Sequence, residues 1–73
     1  MSTVQSLMML EINGERRAVP PPANLQELLA HLGVEQTRVA VEVNRRIVRR
    51  AAWDSTPVSE SDRIEIVQFV GGG

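Results

Sequence analysis

The dipeptide Asn13-Gly14 restricts the fold of this chain more than any other feature, because both residues tolerate the positive φ angles of a tight hairpin turn. In residues 8–12, Met8, Leu10 and Ile12 fall on one face and Met9 and Glu11 on the other, a period of two that is typical of a half-buried strand. Residues 15–19 follow the turn directly and are predicted to return as the second strand. The N-terminal part of the chain is therefore predicted to be a β-hairpin.

The register of this hairpin has two possible solutions. A strict two-residue turn places Glu15 and Arg17 on the same face as Ile12 and Leu10. Either the two charged side chains lie at the edge of the sheet, or a β-bulge shifts the pairing by one residue. The sequence leaves both solutions open.

A single helix is predicted after the prolines at residues 20–22, which end the second strand because proline cannot donate to the ladder. Asn24 is a good N-cap, Glu27 lies where a capping box places a glutamate, and Gly33 ends the helix. The apolar residues between these caps fall on one helical stripe, formed by Leu25, Leu28, Leu29 and Leu32. This helix is expected to pack on the sheet.

Residues 39–43 alternate like a third strand, and the turn at residues 44–46 leads into a short strand, Ile47-Val48. Residues 49–53 are expected to form an irregular crossing with the Trp53 indole as a lid. A final strand is predicted over residues 64–70. The element order β-β-α-β-(short β)-β predicts an α+β fold of the β-grasp type, with a mixed sheet of four to five strands and one helix across one face.

Right-handed crossover connections place the first and last strands parallel at the centre of this sheet. Ile64 and Ile66 then face the helix, whereas Val67 and Phe69 point to the open face. We expect the exposed apolar pair, with the nearby Arg45 as one of the flanking arginines, to form a partner-docking surface. Arg46 is the second arginine assigned to this surface.

The length of 73 residues fits one small domain, which leaves no room for an enclosed catalytic cleft. We expect chemistry to be done on this chain and not by it, so it is not predicted to be an enzyme and no catalytic residue is assigned. Cysteine is absent and His31 is the only histidine, so no metal site or bound cofactor is expected. The net charge of -1 favours neither nucleic acid nor an anionic membrane. Without a membrane-length apolar run or a signal-peptide pattern, the expected location is the cytoplasm.

Three glycines, Gly71, Gly72 and Gly73, end the sequence directly after the last predicted strand. Glycine has no Cβ, so such a tail fits a slot too narrow for side chains. Three residues reach at most about 10 Å, enough to bring a terminal carboxylate into the active site of another protein. The predicted organisation is a loose leader at residues 1–7, a β-grasp domain at residues 8–70 and a flexible tail at residues 71–73.

Taken in order, these segments resemble the ubiquitin-like sulfur carriers of the ThiS/MoaD family, and within it the carriers of thiamine biosynthesis. The resemblance is carried by Ile12-Asn13-Gly14-Glu15, the Leu-x-x-Leu-Leu pattern that begins at Leu25, Val41-Glu42-Val43-Asn44, Ile47-Val48 with Trp53 after it, Asp62-Arg63-Ile64-Glu65-Ile66-Val67, and Phe69-Val70-Gly71-Gly72-Gly73. The chain departs from the family pattern at Arg49, where proline is frequent, at Ser61, where glycine is common, and at the prolines of residues 20–22.

The resemblance implies a mechanism. A ThiF-like adenylyltransferase would activate the carboxylate of Gly73 with ATP, while Gly71 and Gly72 thread the active site of that partner. The acyl adenylate would become a thiocarboxylate with sulfur from a donor such as a cysteine desulfurase. A ThiG-like thiazole synthase would then accept the sulfur.

Three alternatives remain at this stage. A sibling carrier for molybdopterin synthesis shares the fold and the tail, and a ubiquitin-like modifier would be attached to other proteins through its C-terminus. A plain interaction module would use the arginine cluster formed by Arg45, Arg46, Arg49 and Arg50. Nucleic acid is a poor partner for that cluster, because Trp53 and Phe69 are the only aromatic residues available for stacking on bases.

Overall fold

The computed structural model describes residues 6–69, and these form one five-stranded mixed sheet with an α-helix on one face. The strands are β1 (Met8–Ile12), β2 (Glu15–Val19), β3 (Val39–Val43), β4 (Arg46–Val48) and β5 (Arg63–Gln68). Helix α1 spans Leu25–His31, and 3-10 helices span Gln36–Arg38 and Arg50–Ser55. The strand order is β2-β1-β5-β3-β4, with β1 and β5 parallel and the other neighbours antiparallel. The predicted β-grasp arrangement is confirmed, including the parallel central pair.

The first hairpin uses the strict two-residue turn. Ile12 pairs with Glu15 and Leu10 with Arg17, so no bulge interrupts this pair of strands. Asn13 has φ 51° and Gly14 has φ 83°, the left-handed values that such a turn requires. Glu15 and Arg17 remain exposed because β2 is an edge strand of the sheet. The first of the two register solutions is therefore correct.

The caps of α1 follow the sequence closely. The Asn24 side chain accepts a hydrogen bond from the Glu27 backbone N–H at 2.8 Å. The Glu27 carboxylate accepts from the Ala23 N–H at 2.9 Å, one residue earlier than a strict capping box has it. At the other end, Gly33 has φ 72° and donates to the Ala30 carbonyl at 3.1 Å, as in a Schellman motif. Three of the four stripe leucines, Leu25, Leu28 and Leu29, are fully buried.

Trp53 belongs to the core and does not form a lid. The segment that carries it is the regular 3-10 helix Arg50–Ser55, which packs against α1. Its indole is 1% exposed, and the Nε1–H donates to the Val48 carbonyl at 2.9 Å. The prediction of an irregular crossing was wrong, because the segment forms a regular 3-10 helix in which the buried indole N–H has a hydrogen-bond partner.

Strand β5 is shorter than predicted, ending at Gln68, and it is paired on both sides over its first residues. Ile64 pairs with Ile12 of β1 and with Val43 of β3. Val70 lies outside the described residues. Among residues 6–69, no helix is long and apolar enough to span a bilayer.

Candidate functional site

The tail residues Gly71, Gly72 and Gly73 lie outside the described residues, so the site is built from the strand that leads to them. The backbone N–H of Phe69 donates to the Arg38 carbonyl at 2.8 Å, which continues the β5 pairing one residue beyond the strand. Val67 pairs with Ala40 of β3. The chain is thus held in an extended path up to Phe69, which stands two residues before the first tail glycine.

The two faces of β5 differ in the way that the alternation predicts. Ile64 is fully buried and Ile66 packs against the core on the helix side. Val67 and Phe69 have the opposite parity and are 55% and 57% exposed. The predicted placement of this apolar pair on the open face is confirmed.

Sequence reasoning missed a third apolar residue on this face. Ile47 is 75% exposed on β4, where it pairs with Glu42 of β3. Glu42 pairs in turn with Glu65 of β5, and paired residues of neighbouring strands point to the same face. Ile47 therefore faces the same side as Val67. We call the set Ile47, Ala40, Val67 and Phe69 the apolar patch.

The structure separates the two arginines assigned to docking. Arg46 pairs with Val43, which packs against the core, so Arg46 lies on the helix side of β4 and away from the apolar patch. Arg45 is in the turn between β3 and β4, exposed and with φ 70°. The structure thus brings Val67 and Phe69 together, places Arg45 at one end of the sheet and puts Arg46 on the opposite face. Their role in docking stays a prediction.

The open face is polar near the start of β5 and apolar near its end. Arg63 and Glu11 form an ion pair there, with 3.0 Å between Nε and Oε2. Both side chains are substantially exposed, so the pair contributes at most about 1 kcal/mol. In the middle of the face, Glu42 lies opposite Glu65, and within residues 6–69 neither carboxylate has an ion-pair partner. Like charges placed in this way repel each other.

No part of the described chain resembles an enclosed reaction centre. Residues 6–69 contain no buried polar or charged side chain. Within the same residues, no three side chains of the metal-ligating types come together. What the structure offers is an open sheet face with an apolar patch, at the end of the strand that continues toward three glycines.

A β-grasp sheet with one covered face, one open face and a glycine-rich end after its central strand defines the ubiquitin-like class of small proteins. A family model described as the ThiS family matches residues 10–73, a range that includes the three glycines. The chain belongs to the ThiS family.

Individual relatives agree with this assignment. The chain is 36% identical over 66 residues to the sulfur carrier protein ThiS of Bacillus subtilis, covering 89% of this chain and 100% of that protein. The crystal structure of the thiamine biosynthesis protein ThiS from Geobacter metallireducens superposes with a TM-score of 0.78 at 39% identity, covering 90% of this chain and 100% of that one.

A different kind of relative is much longer. A thiazole synthase of Paramagnetospirillum magneticum is 42% identical over 66 residues, which are 90% of this chain. The chain spans only 20% of the length of that protein. A segment similar to this chain is thus part of a polypeptide named as a thiazole synthase.

Proposed function

We propose that this protein is a sulfur carrier for the synthesis of the thiamine thiazole, and that the carboxylate of Gly73 carries the sulfur as a thiocarboxylate. The observation that carries the proposal is the match to a sulfur carrier over that protein's whole length, together with a family match that extends through Gly73. In this role the chain is a substrate of its partner enzymes and not itself a catalyst.

The chemistry requires an activation step, because a carboxylate is a poor electrophile. A carboxylate oxygen of Gly73 attacks the α-phosphorus of ATP, and pyrophosphate leaves. The resulting acyl adenylate has AMP as its leaving group, whose developing charge the ThiF-like adenylyltransferase stabilises. A persulfide sulfur held by a donor such as a cysteine desulfurase then attacks the acyl carbon and AMP leaves. A thiol reductant cleaves the resulting acyl disulfide, which gives the thiocarboxylate. The chain itself binds no cofactor in this scheme, and the dependence on ATP fits a cytoplasmic location.

The apolar patch offsets the cost of ordering the tail in the partner. Fixing three residues costs about 3–6 kcal/mol at ~1–2 per residue. The side chains of Ile47, Val67 and Phe69 are 75%, 55% and 57% exposed. Covering these fractions is worth about 3–6 kcal/mol at ~1.5–3 for each fully buried side chain. The two terms are of equal size, so docking on this face allows Gly71 and Gly72 to enter a narrow channel.

The repelling pair Glu42 and Glu65 specifies the charge of the docking partner. On the open face, Glu42 lies beside Ile47 across the β3–β4 pair, and Glu65 lies two residues before Val67 on β5. A cationic side chain of the adenylyltransferase placed between them would relieve their repulsion, and such complementarity favours the correct partner and speeds association. The ThiG-like thiazole synthase is proposed as the acceptor of the sulfur. This partnership is supported by the relative named as a thiazole synthase, which contains a segment similar to this chain.

The intact mass of the protein tests this function. The protein is purified from its native host and then incubated with ATP and candidate adenylyltransferases. We expect a mass increase equal to the exchange of one oxygen for sulfur, or an adenylate adduct. A variant that lacks Gly73 is the control and should gain neither.

Gly72→Leu adds a steric test, since a side chain at this position should block activation while leaving the fold intact. Normal adenylation of Gly72→Leu would contradict the threading of the tail. Covalent attachment of the chain to lysines of other proteins, lost on removal of Gly73, would instead identify a protein modifier.

A further inference from the structure

The side chain of Asn13 is bound to the main chain of β5 by two hydrogen bonds. Its Oδ1 accepts from the Ile66 N–H at 2.7 Å, and its Nδ2 donates to the Ile66 carbonyl at 3.2 Å. The two residues are 53 positions apart in the sequence. One amide group thus satisfies both backbone groups of a residue in the central strand, close to the end that leads to the tail.

These bonds extend the β1–β5 ladder beyond the end of β1. The last backbone contact of that ladder is the Asn13 N–H, which donates to the Ile64 carbonyl at 2.9 Å. The chain then turns away into the hairpin, and the Asn13 side chain takes the place of the next β1 residue. Val67 and Phe69 come after this contact. Among residues 6–69, their backbone pairing is on the opposite edge of β5, where Val67 pairs with Ala40 of β3 and Phe69 with Arg38.

We infer that Asn13 is a positioning residue for activation of the C-terminus. By fixing Ile66 from the β1 side, it holds the end of β5 so that the apolar patch and the following tail meet the adenylyltransferase in one orientation. Losing this contact leaves the end of β5 paired on one side only. The inference rests on the proposed function, because the step that it positions is the adenylation of Gly73.

Asn44 provides an internal control. It has the same φ of 51° and occupies the same position in the second hairpin. Its Oδ1 also accepts from a β5 backbone N–H, that of Arg63 at 2.9 Å. Arg63 is the first residue of β5, at the end remote from the tail. Losing the Asn44 side chain therefore weakens the same sheet without freeing the end of β5 that carries Val67 and Phe69.

The choice of substitution separates the effect of the turn conformation at position 13 from the effect of the side-chain hydrogen bonds to Ile66. Glycine at position 13 preserves the positive φ and removes both side-chain hydrogen bonds. Asn13→Asp preserves the acceptor for the Ile66 N–H but replaces the donor with a second oxygen facing the Ile66 carbonyl. Asn44→Gly is the matched control for Asn13→Gly.

The experiment combines amide hydrogen exchange with steady-state kinetics of adenylation, using the full chain. In Asn13→Gly, we expect the Ile66 amide to exchange about tenfold faster or more, because its partner is lost. The KM for the carrier should rise about tenfold with kcat nearly unchanged, as expected when uniform binding is lost. Asn13→Asp should fall between Asn13→Gly and the wild type in both measurements. Asn44→Gly should change KM by less than about twofold, although it also weakens the sheet.

Two results would overturn the inference. One is an equal rise of KM in Asn13→Gly and Asn44→Gly, which would mean that only general stability matters. The other is an unchanged KM in Asn13→Gly despite faster Ile66 exchange. If no adenylyltransferase activates the wild-type chain, the proposed function fails. The Ile66 exchange rate then still decides, without any partner, whether Asn13 fixes the end of β5.

Discussion

Replacing Arg45 with glycine should stabilise the protein, because Arg45 occupies a backbone conformation that suits glycine. The two hairpins have nearly the same turn: Asn13 and Gly14 have φ 51° and 83°, and Asn44 and Arg45 have φ 51° and 70°. A left-handed conformation costs a residue with a Cβ about 1–2 kcal/mol. Glycine loses about 0.5–1 kcal/mol more than other residues to chain entropy on folding. The net expected gain is therefore about 0.5–1 kcal/mol.

The control for this prediction is Arg45→Ala, which removes the guanidinium and keeps the strain. In thermal unfolding, Arg45→Gly should melt about 2–8 °C above Arg45→Ala, from the usual ~4–8 °C per kcal/mol in a domain of this size. Arg45→Ala itself should stay within about 0.5 kcal/mol of the wild type, since the side chain is exposed. Equal melting temperatures for the glycine and alanine variants would refute the strain argument. If Arg45 contributes to docking, both variants should bind the adenylyltransferase equally weakly.

Three further substitutions test other parts of the structure. Trp53→Phe removes the donor to the Val48 carbonyl and part of a buried ring, so urea unfolding should show a free energy of unfolding lower by about 2–3 kcal/mol. A decrease of less than about 1 kcal/mol would contradict the assignment of Trp53 to the core. Glu65→Gln relieves repulsion with Glu42, so we expect a slightly more stable protein that binds the adenylyltransferase more slowly and with weaker salt dependence. Arg38→Lys introduces an amine into a chain that has no lysine, at the residue whose backbone carbonyl accepts from the Phe69 N–H. Once the Gly73 adenylate leaves the adenylyltransferase, the ε-amine should attack its acyl carbon, form an amide and release AMP. Arg16→Lys on the distant edge strand is its control, and equal amide formation in both variants would argue against proximity.

Local chemistry made much of this fold predictable from the sequence. The Asn13-Gly14 turn depends on φ preferences within the dipeptide, and the cap at Asn24 depends on residues three positions apart. The placement of Val67 and Phe69 on the open face follows from the period of a strand, once Ile64 is assigned to the core. Such signals need no knowledge of distant contacts.

Ser61 has a backbone conformation that the sequence pattern indicated only indirectly. Its φ is 69°, in the left-handed region, and this explains why a glycine is suited to this position. The resemblance to the family shows Ser61 as a departure from the pattern but does not give its backbone conformation. A turn residue that precedes a strand carries too little sequence information to fix its φ alone.

The contacts that escaped prediction join residues distant in sequence. The Asn13 side chain meets Ile66 across 53 positions, and neither residue type indicates the contact. Arg46 lies on the opposite face from the apolar patch because the second turn ends at Arg45 and Arg46 is the first residue of β4. If the turn also included Arg46, the pairing of β3 with β4 would shift by one residue and the side chains of β4 would change face. The exposure of Ile47 depends on the same register. One unresolved turn boundary thus left two candidate residues of the site undetermined.

The way in which β5 is supported changes along its length, and this change coincides with the candidate site. Its first part is paired on both sides and places Ile64 in the core, so its position is fixed by the fold as a whole. After Ile66, which the Asn13 side chain holds, the described chain is paired only on the β3 side. The one helix on the described sheet covers one face, so the apolar side chains of Val67 and Phe69 stay in solvent at this point. An extended end that is firmly held at its base and open on one edge and one face is accessible to a partner without any unfolding of the core.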